Sequence, residues 1–413
     1  MPSLRHFAPY RAARAFRVVA PTIVGYLALR TDDAAGWERA HQRATRRIAK
    51  LAEDLGGVFV KMCQVIGSRA DIMPPIFVSE LGRFVDKVRP RPLGELAGWL
   101  ERELGRPLDK VFRSIDELPV AAASIAQVHR AELLDGAVVA VKIQYPEVRG
   151  DLTTDLGNIR RAAWVASRLF RDFPLFPALH DVTRFIELEL DFEREARSLA
   201  RAGMAFKDDP DVRVPALYAE LSTAKVIVQE FLDGTPVHDF ETLRAKGIET
   251  RDVADRIGRI YGRMLFEHGF FHGDPHAGNL LVLRDGRIGL LDFGLVRELP
   301  PGFGRAITGM FGAAMVGDAD RAVADAQQLG FRLEGVEPAA FQRFLRMVLG
   351  EQSDVRDVFK IATDGLSGPI PEDIALVTRT LVILNGLSEQ LAPGERRIVR
   401  GLMEGAGRTL SAA

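Results

Sequence analysis

From residue 36 to about 110, apolar and charged positions alternate at helical spacing, broken at Met73-Pro74-Pro75 and at Arg89-Pro90-Arg91-Pro92. This periodicity predicts an all-helical module. At residue 111 the texture changes to short runs rich in β-branched residues: "VFRSI", "SIAQVHRAEL" and "AVVAVKIQY". These read as strands, with "LLDG" at 133–136 as the turn between the last two. Residues 147–172 return to helical spacing. "TRFIELELDFEREARSLARAGMAF", 183–206, predicts one long helix with Leu188, Phe192, Glu195 and Leu199 on one stripe. "VPALY" and "KVIVQEFLDG" read as further strands. After Asp233 the pattern is helical to the end, except for "NLLVLRDGRIGLLDFG", two short strands joined at the turn pair Asp285-Gly286. The expected organisation is a helical extension at 1–110, a small β-rich lobe at 111–232 and a larger helical lobe at 233–413, an α+β chain.

Composition narrows the function classes. A length of 413 residues suggests two or three structural units. A hydrophobic share of 47% supplies sizeable cores, and a net charge of −1 gives no global electrostatic pull toward nucleic acid. A single cysteine, Cys63, excludes an internal disulfide framework and suits a reducing compartment. Val18–Leu29 is apolar but shorter than the roughly 20 residues of a bilayer span. Five Arg or His residues precede it, so a basic interfacial helix, a signal peptide and an amphipathic helix packing on its own protein all stay open. The expectation is a cytoplasmic chain, peripheral to a membrane at most, with no transmembrane helix.

The chemistry concentrates in "FHGDPHAGNLLVLRDGRIGLLDFG", residues 271–294. Asp274 is followed five positions later by Asn279, then by the hairpin, then by Asp292-Phe293-Gly294. Phosphoryl transfer needs metal ions held by hard oxygens and a carboxylate near the incoming nucleophile. Either piece alone reads as a turn or a helix cap; the two in this order point to phosphoryl-transfer chemistry. Upstream, Lys142 lies in "VVAVKIQYP", where an ordinary lysine would mark the solvent face of an edge strand. It matches the strand lysine of protein kinases, which holds nucleotide phosphates and is held by a helical glutamate. Glu195 is the candidate partner, since burying it unpaired on its apolar stripe would be costly. Two departures from ordinary protein kinases stand out. Ala121, Ala122, Ala123 and Ser124 occupy the place of a Gly-rich loop, and Gly273 replaces the arginine that contacts a phosphorylated activation loop. Only "LVREL" separates Gly294 from Pro300, and no Ala-Pro-Glu follows.

Together these motifs resemble the UbiB/AarF-type atypical kinases associated with ubiquinone biosynthesis, from about residue 36 to at least 300 and more weakly at "RTLVILNGLSEQLAP". "AAASIAQVHRA" is similar to the family's Ala-rich loop, "VAVKIQYP" to its lysine strand, and "ELDFEREA" to its Glu-x-Asp motif. "HGDPHAGN" and "DFG" are similar to its catalytic and metal loops. "KMCQ" resembles the family's Lys-x-Gly-Gln motif, with Cys63 in place of the glycine. The resemblance implies a two-lobed protein-kinase-like fold with the N-terminal helical extension over the active site. Lys61 and Gln64, on one helical face by their i, i+3 spacing, would face the nucleotide, with Lys61 near Glu189 and Asp191. It implies Asp274, Lys142, Lys61 and Gln64 as catalytic residues and Asn279 and Asp292 as metal ligands. The nucleotide set would be Ala121, Ala122, Ala123, Ser124, Lys142, Glu189, Asp191, Glu195 and Glu230. The implied cofactors are ATP or ADP with Mg2+ (or Mn2+), and the implied partners a nucleotide, a lipid or quinone-precursor ligand and a membrane surface, with no nucleic acid. The implied activity is ATP hydrolysis or small-molecule phosphotransfer in ubiquinone or other isoprenoid-lipid metabolism, rather than protein phosphorylation in trans. A small-molecule phosphotransferase of the aminoglycoside or choline kinase type, and a nucleotide-regulated scaffold for a lipid-processing complex, stand as alternatives.

Overall fold

Two turns of one sequence type shape the sheets of this protein. In "LLDG" (133–136) and "LRDG" (283–286) the glycine takes φ of +92° and +83°, the left-handed region open to a residue without Cβ. Asp135 and Asp285 accept from the backbone N–H two residues on, at 2.9 and 3.0 Å. The Leu133 and Leu283 N–H groups close the loops onto the carbonyls of Ala137 and Arg287, at 2.8 and 2.9 Å. Each turn therefore takes three residues, with glycine at the bulge position, rather than the two expected at Asp285-Gly286.

The computed structural model describes residues 8–29, 33–67, 75–84, 90–148, 155–157, 160–161, 164, 186–348 and 371–411. The chain divides into two units, residues 1–194 with 218–230, and residues 195–217 with 231–413. The first opens with helices α1 (Ala8–Leu27), α2 (Ala34–Leu55), α3 (Val58–Gly67), α4 (Pro75–Gly82) and α5 (Leu93–Leu104). Strands β1 (Phe112–Ile115), β2 (Ala121–Ala122), β3 (Ala126–Leu133) and β4 (Val138–Gln144) follow. Together with β6 (Val226–Glu230) they form an antiparallel sheet in the order β1-β3-β4-β6, with β2 also on β3. Helix α1 packs on its own protein, as one of the three N-terminal readings expected. The Tyr26 hydroxyl meets His41 Nδ1 of α2 at 2.7 Å. The buried Arg11 guanidinium pairs with Asp155 and donates to the Leu55 carbonyl at 3.1 Å. Among the described residues no helix is long and apolar enough to cross a membrane.

The second unit takes most of α6 (Phe192–Ala205), β5 (Val212–Arg213), β7 (Gly234–Pro236), α7 (Phe240–Ala245), α8 (Thr250–Phe266), β8 (Phe270–His272), β9 (Leu280–Leu283), β10 (Ile288–Leu290) and β11 (Val296–Glu298). Helices α9 (Phe303–Val316), α10 (Ala319–Gln328), α11 (Pro338–Val348), α12 (Glu372–Leu391) and α13 (Arg397–Ser411) complete it. Its sheets are β5-β10-β9-β7, with β5 parallel to β10, and the pair β8-β11. On α8, Arg259 grips Asp211 through two bonds of 2.9 Å, and Arg263 reaches both Asp209 and Asp211. The Asp211 carbonyl in turn accepts from Ile288, at 2.7 Å, which holds β10 in place.

Three expectations change. The helix read across 183–206 is interrupted: a helical turn ends at Glu189, and α6 starts at Phe192. Asp191 makes the break, because its carboxylate accepts from the Arg194 N–H at 2.9 Å and so caps the new helix. Residues 183–185 lie outside the described residues, as does most of the helix read at 147–172. "VPALY" is not a regular strand; the ladder is formed just before it, by β5, and Pro215 has no N–H to extend the pairing. Strands β7, β8 and β11, of three residues each, interrupt a region read as helical apart from one hairpin.

Candidate active site

The segments carrying Asp274-to-Asn279 and Asp292-Phe293-Gly294 are joined by β8 and β11, which run antiparallel with His272 opposite Val296. Strand β8 delivers the chain to Asp274, and β11 carries it away from Asp292-Phe293-Gly294. The β9-β10 ladder adds a second junction: the Leu291 N–H donates to the Asn279 carbonyl at 3.1 Å, so Asn279 sits across from the residue before Asp292. The Asn279 side-chain amide lies 3.3 Å from Asp274 Oδ2 and 3.3 Å from its carbonyl. Asp292 Oδ1 accepts the Gly294 N–H at 2.9 Å, fixing a tight turn through Phe293. Glu195, 4% exposed on α6, brings Oε2 to the same turn: a Cβ built on Gly294 would lie 3.7 Å from it and 3.2 Å from Asp292 Oδ1. Asp274, Asn279, Asp292 and Glu195 thus belong to one neighbourhood of the second unit.

A residue given no role from sequence ties this neighbourhood together. His272, 1% exposed, donates from Nε2 to the Asp292 carbonyl, and its Nδ1 accepts from the Tyr261 hydroxyl at 3.3 Å. Its ring meets Phe293 edge-on, with centroids 5.6 Å apart. Burial, with the Asp274 charge second, pushes the Tyr261 phenol well above its ordinary value, so it stays a donor. The histidine stood in the quoted motif; its partners, distant in sequence, gave no local signal. Gly273 also gains a reason. A Cβ there would lie 2.5 Å from Leu376 Cδ1 of α12 and 3.0 Å from the Leu295 carbonyl, so no arginine fits.

In the first unit Lys142 occupies β4, an interior strand between β3 and β6, which excludes the edge-strand reading. Its neighbours Val141 and Ile143 are fully buried, and its ammonium lies 5.1 Å from the Phe192 ring centroid, a cation–π distance. The Ala-rich segment is a hairpin. Ala121 and Ala122 pair with Val128 and Gln127, and the Ala123 N–H closes onto the Ala126 carbonyl at 2.8 Å. Ser124 is buried at its tip and meets Gln64 Oε1 at 3.4 Å, while Gln64 Nε2 donates to the Phe84 carbonyl at 2.9 Å. Lys61, one turn earlier on α3, pairs with Glu189 at 2.5 Å, whereas Asp191 serves as the α6 cap. Cys63 is fully buried, and burial pushes its thiol up to about 12, so it acts as a small apolar residue. The close helix approach in this module falls instead at Gly67, where a Cβ would lie 2.5 Å from the Gly82 nitrogen. Glu230 ends β6, where the chain passes into the second unit.

Two groups of residues are therefore assembled, each within its own unit: Lys61 with Glu189 and Gln64 with Ser124 in the first, Asp274, Asn279, Asp292 and Glu195 in the second. Lys142 and Glu195 belong to different units.

Comparison with known proteins identifies the family. Residues 83–326, more than half of the chain, match the family model for the ABC1 atypical kinase-like domain. The chain is 31% identical to AarF domain-containing protein kinase 1 of Xenopus laevis over 71% of this chain and 57% of that protein. It is 30% identical to Protein Activity of BC1 Complex Kinase 3, chloroplastic, of Arabidopsis thaliana over 92% of this chain and 56% of that one. It thus spans little more than half the length of these two relatives. Among solved structures, the Rv3197–erythromycin complex from Mycobacterium tuberculosis superposes with a TM-score of 0.58 at 28% identity, covering 88% of this chain and 99% of that one. The motifs, the α+β kinase-like fold and the family match agree: this chain belongs to the ABC1 atypical kinases, the UbiB/AarF type.

Proposed function

We propose that this chain binds ATP or ADP with Mg2+ (or Mn2+) and hydrolyses ATP, or passes its terminal phosphoryl group to a small or lipid molecule, in support of ubiquinone or other isoprenoid-lipid metabolism. The observation that carries this reading is the junction of Asn279 with Asp292 across the β9-β10 ladder, beside Asp274. Two hard oxygen donors from adjacent positions of one hairpin suit an ion that keeps most of its shell for water and phosphate oxygens. Asn279 and Asp292 would hold that ion, which when bound supplies neutralising charge across the phosphates. Asp274, steadied by the Asn279 amide, would orient the attacking water or hydroxyl. Lys142 would contact the phosphates with Glu195 orienting it, and Ala121–Ser124, Glu189, Asp191 and Glu230 would complete the nucleotide set. Lys61 and Gln64, fastened to Glu189 and Ser124, would gate nucleotide access.

The test is steady-state ATP turnover by the full chain, alone and with quinone-precursor mimics or anionic vesicles, set beside Asp292→Asn. Loss of one charge-stabilising group in such a site lowers turnover by about 100-fold or more; equal turnover in the two proteins would sink the assignment. The mycobacterial relative's complex with erythromycin supports a second reading, in which the acceptor or ligand is a soluble small molecule. Phosphorylation of an aminoglycoside, choline or macrolide in a panel, without stimulation by lipid, would favour it.

A further inference from the structure

The face of α12 formed by Asp373, Leu376 and Thr380 touches both β11 and Gly273, the residue that follows β8. Asp373 and Arg297 of β11 form an ion pair at 2.7 Å. Leu376 fills the space beside Gly273, so that a Cβ at residue 273 would sit 2.5 Å from its Cδ1. The hydroxyl of Thr380, a buried residue, bonds to the Leu376 carbonyl at 2.9 Å and also reaches the Gly273 carbonyl at 3.4 Å. The Gly273 N–H donates to the Leu295 carbonyl at 2.7 Å. Positions i, i+3 and i+7 lie along one side of a helix, so one helical face holds the residue before Asp274 and the strand that leaves Asp292-Phe293-Gly294.

We propose that α12 is a built-in brace of the catalytic loop, and that Asp373, Leu376 and Thr380 are positioning residues for Asp274. In phosphorylation-regulated kinases an arginine beside the catalytic aspartate anchors a phosphorylated segment, and order in the loop follows from that added charge. Here the arginine is absent, its space is taken by Leu376, and the anchoring is done by apolar packing and one ion pair. The loop is therefore set without covalent modification. This assignment rests on Asp274 being the catalytic carboxylate of the function proposed above.

The experiment compares wild type with Leu376→Ala, Leu376→Met, Arg297→Asp, Asp373→Arg and the double charge swap in the full chain. Three quantities are read: ATP turnover with its KM, ADP affinity, and hydrogen exchange of the Gly273 amide. The brace predicts that Leu376→Ala lowers kcat by about 10- to 100-fold through a misplaced loop, while ADP affinity stays within about 2-fold. Leu376→Met retains turnover, and the charge swap recovers what either single reversal loses. In Leu376→Ala the Gly273 amide exchanges faster while amides of α9 and α10 keep their protection. Unchanged kcat and unchanged Gly273 exchange in Leu376→Ala would overturn the brace, as would kcat, ADP affinity and overall protection falling together. A wild-type chain without turnover overturns the role of Asp274, and the Gly273 exchange then decides the brace separately.

Discussion

His272 and Asp292 are tied side chain to main chain: the buried imidazole donates from Nε2 to the Asp292 carbonyl, and Tyr261 supplies the proton that its Nδ1 accepts. A neutral imidazole can make both bonds only as the Nε2–H tautomer, so Tyr261 selects the tautomer that holds the Asp292-Phe293-Gly294 turn. Tyr261→Phe keeps the ring packing and removes that donor. The expected result is a loss of about 1–2 kcal/mol in unfolding free energy, the cost of leaving a buried acceptor unpaired, together with slower ATP turnover. Urea titration and a turnover assay on the same preparation check both. Unaltered stability with unaltered turnover would remove His272 from the account of the site.

Lys61 and Glu189 form a largely buried pair between α3 and the segment before α6. Removing one partner leaves the other charge in a site with little water, so the single variants should cost more than the double. Lys61→Met and Glu189→Gln, combined in a double-mutant cycle read by urea unfolding, should give a coupling of about 1–2 kcal/mol in favour of the pair. The same variants should change ADP affinity if α3 gates the nucleotide. A coupling near zero would make the contact an incidental surface pair.

Sequence made the separate pieces of the site legible, and tertiary contacts explain the rest. Asp274, Asn279 and Asp292 could be read because one hairpin with its own turn chemistry joins them, so spacing alone predicts their meeting. Lys142 was legible as a strand residue, but only pairing with β3 and β6 shows that the strand is interior. The break before α6 was hidden because Glu189 and Phe192 both continue a helical pattern, and only the Asp191 bond to Arg194 reveals a cap. Strands β8 and β11, of three residues each, carry too few positions for a period-2 signal and lack the turn pair that marks the equally short β10. The reason for Gly273 lies in Leu376, a hundred residues away, where no local pattern reaches.

His129 gives the stability a pH dependence. The imidazole is fully buried on β3, its Nδ1 donates to the Asp116 carbonyl at 2.8 Å, and its Nε2 accepts from Gln127 at 2.6 Å. Burial holds it below its ordinary value, the nearby Asp116 and Glu117 opposing more weakly. A proton on Nε2 would set two donors against each other, since Gln127 Nε2 already donates to the Arg91 carbonyl. The folded state therefore binds fewer protons than the unfolded one, and this stability is complete above the ordinary histidine value and is lost as pH falls below it. His41 and His268, also held low by burial, add in the same direction. The urea midpoint should fall between pH 7 and pH 5, with a shallower fall in His129→Gln. A flat midpoint across that range would show that His129 protonates in the folded state without cost.

Cys63 makes the opening of the α3 module measurable. With its thiol pushed up to about 12 by burial, almost no thiolate exists in the folded protein at pH 8, whereas an unfolded cysteine there is partly ionised. A thiol reagent should therefore label the native chain only through opening of α3, at a rate that rises with urea. ADP should slow labelling if nucleotide binding closes the module, and Lys61→Met should quicken it by releasing Glu189. Because the folded-state value is raised, this group favours the folded state fully below the ordinary thiol value and less as pH climbs above it. Cys63→Gly, which restores the residue found in the family motif, should cost about 2 kcal/mol from helix propensity and the cavity left behind. Immediate labelling of the native chain at the rate of a free thiol would contradict the buried placement of Cys63, and with it the packing of α3 that brings Lys61 and Gln64 to their partners.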